Sequence, residues 1–287
     1  MQIVSMKNML HAAKERQYAV GQFNVNSLEF AQAFLLAAKE ESSPVILGIT
    51  EAAVRHLGGF ALVASIVQEL IKSYEVTVPV ALHLDHSSSF EACVKAIQAG
   101  FSSVMIDGSH LPLEKNIVLT QKVAAVAHAL GVSVEAELGR ITGEEDGIVV
   151  DEALGTFAAA KDCERFMLET QIDCLAPALG SVHGLYKGEP RLRFDLLADI
   201  VRLTQAPCAL HGGTGIPTDD IQKAIGLGVT KINVNTENQM VYTAALRCAL
   251  VGAANAHEVQ KYTRQAVDAV RASVKQKMRE FGSSQQA

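Results

Sequence analysis

The 287-residue sequence lacks an excess of basic residues, which limits the partners it can have. Its 25 lysines and arginines are outnumbered by 31 acidic residues, so the formal net charge is −6. A nucleic-acid-binding surface needs a basic face to neutralise phosphates, and we therefore expect no nucleic-acid partner. A small anionic ligand needs only a local positive site and stays compatible with this charge.

Long apolar runs and paired cysteines are missing as well. No stretch approaches the ~20 apolar residues that cross a bilayer, so we expect no membrane association. Charges are spread through Met1–Arg16, where a secretory signal would have an apolar core. The five cysteines are never closer than eleven positions, which favours neither a disulfide framework nor a CxxC metal site. A cytoplasmic protein is the resulting expectation.

What the sequence does have is a regular alternation of short apolar segments and segments with helical spacing. Because strand–helix alternation indicates a parallel sheet, the two candidate folds are an open doubly wound sheet and a closed barrel. An open sheet should have a GxGxxG turn after its first strand, which Gly21–Asn26 does not provide. Eight units favour a single-domain (β/α)8 TIM barrel over residues 1–287. The candidate strands are Tyr18–Asn24, Val45–Thr50, Val78–Asp85, Ser103–Asp107, Ser133–Glu137, Cys174–Leu179, Pro207–His211 and Thr230–Asn235. The candidate helices are Leu28–Glu40, Ala61–Ser73, Phe90–Ala99, Ile117–Leu130, Asp195–Leu203 and Asp219–Leu227.

Two regions fall outside this repeat. The segment at about 139–157 is rich in glycine and acidic residues and is long for a loop between a strand and a helix. Loops of this kind are usually functional, so we interpret it as a lid over the site. The segment at about 258–281 is a charged amphipathic helix, which we expect to pack on the barrel or on a partner subunit.

Three histidines stand where apolar runs end, namely His86, His183 and His211. In a (β/α)8 barrel the chemistry collects at the carboxyl ends of the strands, so these side chains should meet at one mouth. Three imidazoles favour a catalytic zinc centre with an open coordination position. Asp85 neighbours His86, and its place at the mouth favours a general acid or base over a structural carboxylate. His83 lies inside its strand, where a buried hydrogen-bonded role is favoured over metal binding.

Two carboxylates and two loops complete the candidate site. Asp107 and Glu137 also end strands; each alone could equally cap a helix or form a salt bridge, but beside the histidines they could hold a second or alternate metal. His211–Gly215 and Asn233–Thr236 follow the last two strands, where barrel enzymes often bind phosphate through backbone amides. No Walker A or GxSxG motif is present, which argues against a hydrolase triad.

Taken together, the sequence resembles the class II, zinc-dependent fructose-bisphosphate and tagatose-bisphosphate aldolases nearly from end to end. Seven motifs in matching order are far more specific than any one of them. They are Tyr18–Asn24, His83–His86, Ser103–Ser109, Val134–Gly139, Ala176–Gly184, His211–Pro217 and Lys231–Thr236.

The resemblance implies a lyase that reversibly cleaves a ketose 1-phosphate, by default fructose 1,6-bisphosphate, to dihydroxyacetone phosphate and an aldehyde through a zinc-stabilised enediolate. It implies that His86, His183 and His211 hold one catalytic Zn²⁺, with Asp107 and Glu137 at the alternate metal position. Asp85 would handle the proton of the C4 hydroxyl, and Glu145 on the lid would serve the carbon of dihydroxyacetone phosphate. A monovalent cation and a homodimer or homotetramer are further expectations. Substrate contacts are expected from Asn24, Thr50, Gly184, Gly212, Gly213, Thr214, Asn233, Val234, Asn235 and Thr236.

One departure from the family pattern leaves the substrate open. Gln260 stands where the family typically has an arginine that holds the distal C6 phosphate, and Arg264 one helical turn later could compensate. Losing such a contact weakens binding by about 1.5–3 kcal/mol. The alternatives are tagatose 1,6-bisphosphate, 6-deoxy-6-sulfofructose 1-phosphate or another ketose 1-phosphate. More distant ones are a sugar-phosphate isomerase or epimerase and a non-catalytic barrel subunit.

Overall fold

Eight parallel strands close into a barrel in a computed structural model of this protein. The structure describes residues 3–145, 148–252 and 257–287, and of residues 145, 148, 149 and 152 it describes the backbone alone. The strands of these parts are β1 Val20–Asn24, β2 Val45–Thr50, β3 Val80–Ser87, β4 Ser103–Ile106, β5 Ser133–Leu138, β6 Thr142–Glu145, β7 Ile148–Val150, β8 Cys174–Pro177, β9 Val182–His183, β10 Cys208–Leu210 and β11 Val229–Val234. Around the barrel the order is β1, β11, β10, β8, β5, β4, β3 and β2.

Helices form the outer layer and cover the strands. In the described residues they are α1 Met6–Arg16, α2 Leu28–Glu41, α3 Glu51–His56, α4 Phe60–Ser73, α5 Phe90–Ala99, α6 Leu113–Ala129, α7 Ala160–Thr170, α8 Phe194–Thr204, α9 Thr218–Leu227, α10 Thr236–Gly252 and α11 Val259–Glu280. Helices cover the outside of the barrel and side chains fill its inside, so every residue of β2 is buried. This explains why the sequence of β2 shows no alternation of polar and apolar residues. Helix ends carry local signals: the Ser89 hydroxyl accepts a hydrogen bond from the Ala92 amide at the start of α5.

The barrel interior is apolar at one end and polar at the other. At the amino ends of the strands, α1 lies across the opening and buries Met6, Met9 and Leu10. These side chains form a separate apolar cluster with inward-facing residues of the barrel, including Val20, Ile46, Ala81, Cys174, Ala176 and Ala209. Since α1 covers this end among the described residues, the carboxyl ends of the strands form the open end of the barrel.

The TIM-barrel prediction is confirmed, and each of the eight predicted strands matches an observed one to within two residues at either end. The predicted helices are present too, and the C-terminal helix α11 packs against α2 and α10. The predicted helices did not include α1, α3, α7 or α10. Within the described residues, no helix combines the length and the apolar character that a membrane span requires.

The segment predicted to be a lid contains regular structure. Strands β6 and β7 pair as an antiparallel hairpin, and β6 also pairs in parallel with β9, with Gly143 opposite His183. The hairpin is thereby attached to the short strand that carries one of the three candidate metal ligands. Its function as a lid stays a prediction.

Candidate metal centre and active site

The three histidines meet at the carboxyl ends of the barrel strands. His211 directly follows β10, as the sequence indicated, whereas His86 lies within β3 and His183 ends the short strand β9 beyond β8. The pairing of β3 with β4 continues irregularly as far as Ser87, which places His86 inside the strand. His86 has a φ of 47°, in the left-handed region that non-glycine residues rarely adopt. The left-handed conformation therefore occurs at a candidate metal ligand within a strand and not in a turn.

The imidazole rings face one another at short distance. The Nε2 atom of His86 lies 2.9 Å from Nδ1 of His211. Ring centroids of His86 and His183 are 4.9 Å apart, and those of His86 and His211 are 4.7 Å apart. One ring nitrogen from each of the three residues lies within 4.8 Å of the others, which is the spacing that a single metal ion can bridge.

Carboxylates hold the outer nitrogens of two of these rings. His86 Nδ1 is 3.1 Å from Asp107 Oδ2, and His211 Nε2 is 2.7 Å from Glu135 Oε1. A ring nitrogen that donates to a carboxylate leaves the other nitrogen with its lone pair, so each carboxylate selects the tautomer of its histidine. The lone pairs therefore lie on His86 Nε2 and His211 Nδ1, the two nitrogens that face each other at 2.9 Å.

Burial keeps the rings of His183 and His211 neutral. It lowers the pKa of His183 to about 3, and it lowers the pKa of His211 well below the ordinary 6.5. For His211 the neighbouring Lys231 ammonium acts in the same direction. Neutral imidazoles are the form in which histidine coordinates zinc, so the donor set fits this ion at neutral pH.

A second possible metal group shares His86 with Asp107 and Glu137. Burial would raise the pKa of Asp107, but the hydrogen bond and electrostatic interaction with His86 outweigh it and hold this pKa below its usual range. Burial, assisted by the nearby Asp107 charge, raises the pKa of Glu137 well above 4.5. A cation bound between the two carboxylates would favour the ionised form of Glu137.

Asp85 lies one residue before His86 and is fully buried. The Asn24 side-chain amide donates to Asp85 Oδ2 at 2.8 Å, while Oδ1 has no hydrogen-bond partner among the described residues. Burial would raise the pKa of Asp85, but electrostatic interaction with His86, Lys231 and His211 outweighs it and holds this pKa below its ordinary value. The side chain is therefore an ionised carboxylate with one oxygen fixed and the other available to a ligand.

The predicted phosphate loops pack against one another beside the metal group. Gly213 donates its amide hydrogen to the Asn233 carbonyl at 2.9 Å, and the Thr214 hydroxyl accepts from the Glu237 amide. Gly212 has a φ of 68° and lies directly against the Val182 carbonyl, where a Cβ atom would not fit. Glycine at this position lets the loop after β10 approach β9 closely.

A cavity of about 1310 Å³ opens beside these loops, and its lining includes His183, Gly184, Asn235 and Thr236. Asn24 and Thr50 end β1 and β2, and the Thr50 hydroxyl accepts from the Ala53 amide at the start of α3. Val234 ends β11 and is fully buried. These residues are thus at the same mouth, as the sequence predicted.

Three predicted residues are not placed in the cavity. Glu145 ends β6, but its side chain lies outside the described part of the chain. Gln260 and Arg264 lie near the start of α11 and are not among the described residues that line the cavity.

Sequence reasoning did not select Glu135, Lys231 or Tyr186. Lys231 is fully buried in β11 and lies 3.0 Å from Glu135 Oε1. The Tyr186 hydroxyl joins the backbone next to His183 to the backbone next to His211. A signal for Glu135 was available: it stands two positions before Glu137 in one strand and so faces the same side. Tyr186 follows no strand and had no such signal.

Comparison with known proteins identifies the family of this chain. A family model described as fructose-bisphosphate aldolase class-II matches residues 4–286. The chain is 56% identical over 287 residues to a probable fructose-bisphosphate aldolase of Bacillus subtilis (strain 168), covering 100% of both. It is 55% identical to a fructose-bisphosphate aldolase of Geobacillus stearothermophilus, covering 100% of this chain and 99% of that one.

A solved structure extends the likeness to the fold. The YdjI aldolase from Escherichia coli K12 matches with a TM-score of 0.87 at 28% sequence identity, with 100% of both chains covered. The chain therefore belongs to the class II fructose-bisphosphate aldolase family, and it is an aldolase, which is a lyase.

Proposed function

We propose that this aldolase reversibly cleaves fructose 1,6-bisphosphate to dihydroxyacetone phosphate and an aldehyde phosphate, with zinc as its metal. The observation that carries the proposal is the convergence of three imidazole nitrogens within 4.8 Å beside an ionised, buried Asp85. Relatives of the same length named as fructose-bisphosphate aldolases support the choice of substrate.

The residues fit a zinc ion. His86, His183 and His211 would hold it, since three neutral nitrogen donors leave a fourth tetrahedral position for substrate. Buried polar atoms without a partner among the described residues, Glu137 Oε2 and Asn233 Nδ2, also indicate that the site is built around a ligand. When bound, zinc would supply a Lewis acid that stabilises the negative charge left on the triose.

Asp85 carries the proton step of the cleavage. Breaking the C3–C4 bond of the sugar requires the C4 hydroxyl to lose its proton as the aldehyde carbonyl forms. The free oxygen Oδ1 of Asp85 accepts this proton, and the amide of Asn24 keeps the other oxygen oriented. In the condensation direction the same carboxyl group returns the proton to the aldehyde oxygen.

The loops after β10 and β11 bind the C1 phosphate in this proposal. The amides of Gly212 and Thr214 would bind the phosphate, and Gly213, whose own amide donates to the Asn233 carbonyl, holds this loop against Asn233–Thr236. Amide groups at this end of a barrel are a common phosphate site, and Thr236 begins helix α10, whose dipole favours an anion.

Glu145 on the β6–β7 hairpin would then handle the proton at the triose carbon, as its position in the family motif implies.

The assembly is proposed to be a homodimer or homotetramer. Apolar side chains are exposed on α10 and at the start of α11, among them Met240, Val251 and Val259. Clusters of this kind mark protein interfaces, and a second copy of the chain is the partner that the family favours. Light scattering coupled to size exclusion would show a monomer if this is wrong.

The function is tested by measuring release of triose phosphate with a coupled reductase. A chelator should abolish the activity and added Zn²⁺ should restore it. Activity that survives complete metal removal would overturn the proposal. His183→Ala should lose both zinc and activity, whereas His128→Ala is the matched control because its ring pairs with Asp173 away from the metal group.

The same assay, run with different sugars, identifies the distal group of the preferred substrate. Rates with fructose 1,6-bisphosphate should exceed those with tagatose 1,6-bisphosphate and with 6-deoxy-6-sulfofructose 1-phosphate. A clear preference for the sulfonate would mean that Gln260 marks a changed distal site, and would replace the proposed substrate while leaving the zinc chemistry in place.

A further inference from the structure

The barrel interior below the metal group contains a fully buried ion pair that the proposed mechanism does not use. Glu135 in β5 and Lys231 in β11 each have 0% exposure, and the Lys231 ammonium lies 3.0 Å from Glu135 Oε1. Such a pair is costly to bury, because desolvation of two charges often exceeds their attraction. Because the pair lies beneath the metal group and contacts His211 and Asn233, it can orient these two side chains.

We propose that Lys231 and Glu135 are positioning residues that orient one zinc ligand and one substrate-binding amide together. The inference rests on the proposed function, and it deepens it by naming the residues that connect the metal half of the site to the substrate half.

Glu135 provides the connection to the metal. Its Oε1 atom is 2.7 Å from His211 Nε2 and accepts that hydrogen, so Nδ1 of His211 is turned toward His86. The carboxylate can keep this role only while it is fixed in place, and the Lys231 ammonium at 3.0 Å fixes it. Contacts of this kind to a metal-bound histidine typically change metal affinity 10–100-fold when they are removed.

Lys231 provides the connection to the substrate. Its Nζ atom also donates to Asn233 Oδ1 at 2.7 Å. An ammonium has only hydrogens to offer, so the amide must turn its oxygen toward Lys231 and its NH₂ group away. That NH₂ group, Nδ2, is buried and has no partner among the described residues. It is therefore presented as a donor to a ligand, in the loop assigned to the triose phosphate.

Residues elsewhere in the interior do not replace this arrangement. The His83 ring bonds through Nδ1 to Ser103 and reaches only 3.7 Å from Glu135 Oε2. Burial lowers the pKa of His83 to about 4, so it supplies no positive charge to Glu135 at neutral pH. Lys231 is thus the cation that faces Glu135 within the described residues.

The test compares Glu135→Gln, Lys231→Met and the double variant with the wild-type enzyme. Zinc affinity is measured by competition with a chromophoric chelator, which needs no catalytic activity. Thermal unfolding is measured on the zinc-free proteins, and the affinity for dihydroxyacetone phosphate is measured on the zinc-loaded ones. Removing one charge leaves the other buried and unpaired, so each single variant should unfold at a lower temperature.

The double variant separates positioning from stability. It buries no unpaired charge, so its unfolding temperature should return close to wild type, while zinc affinity stays about 10–100-fold weaker. Its affinity for dihydroxyacetone phosphate should fall too, because Asn233 is no longer oriented. Recovery of both affinities together with stability would overturn the inference.

A control variant separates a loss of stability from a loss of zinc affinity. Glu41→Gln removes another nearly buried carboxylate paired with a cation, Arg279, at 2.6 Å, but on the outer helices. It should lower the unfolding temperature and leave zinc affinity unchanged. If Lys231→Met does not fold, Glu135→Gln alone decides by its zinc affinity, and a wild-type value contradicts the inference. A failure of the proposed function would appear separately, as wild-type enzyme that binds zinc and does not cleave the bisphosphate.

Discussion

The loops that carry His183 and His211 are held together by one hydroxyl group, and its removal gives a defined prediction. The Tyr186 hydroxyl donates to the Gly212 carbonyl at 3.1 Å and accepts from the Val182 amide at 3.3 Å. Each backbone group is adjacent in sequence to a proposed zinc ligand. Tyr186→Phe keeps the ring and removes only this bridge.

The magnitude follows from the two hydrogen bonds. Each contributes about 0.5–1.5 kcal/mol net, so the variant should lose about 1–3 kcal/mol in the free energy of unfolding. The bond to Gly212 also fixes the distance between the two ligand loops. If about 1.4 kcal/mol of the loss acts on the geometry that zinc requires, zinc binds ~10-fold more weakly.

Chelator competition and chemical denaturation measure these two quantities. Burial raises the pKa of Tyr186 to about 12, so the hydroxyl stays protonated and the effect should be constant between pH 6 and about 9. Tyr74→Phe is the matched control, since Tyr74 ends α4 in the outer helical layer. A Tyr186→Phe enzyme with wild-type stability and wild-type zinc affinity would refute the reasoning.

Three further predictions test other parts of the molecule. Asp85→Ala should reduce cleavage by about 100-fold or more, as loss of a general base does, while elemental analysis finds zinc near the wild-type level. Gly212→Ala should lower stability by about 1 kcal/mol or more and raise KM, because φ is 68° and a Cβ would meet the Val182 carbonyl. The hydrogen bond from Arg279 lowers the pKa of Glu41 from 4.5, so the stability that Glu41→Gln removes is full above pH 4.5 and should vanish as the pH falls below it.

The barrel strands were predictable because they combine two strong signals. Val45–Thr50 and the first three residues of Val80–Ser87 are apolar on both faces, and a helical segment separates the two strands, as in a covered parallel sheet. The helix α10 was missed because its apolar and polar residues do not form a clear stripe, and few of its residues are buried. The hairpin of β6 and β7 was missed because glycines and acidic residues resemble a loop.

The candidate metal ligands were predictable for a related reason. A histidine at the end of an apolar run is placed by the barrel topology, so its position in the sequence gives its position in space. Tyr186 and Lys231 act through contacts between elements that are distant in the chain. Nothing local to Tyr186 shows that its hydroxyl reaches Gly212, because the contact exists only after both loops have folded.

The structure gives a physical reason why metal ligands and substrate groups should fail together. His211 is held by Glu135, Glu135 is held by Lys231, and Lys231 also holds Asn233. His183 lies opposite Gly143 on the hairpin that carries Glu145, and a Cβ on Gly143 would collide with the His183 carbonyl. His211 and His183 are therefore each connected to an element that carries a proposed substrate contact. Because packed interiors shift as units and do not deform locally, a displacement of either loop moves a zinc ligand and a substrate contact at once.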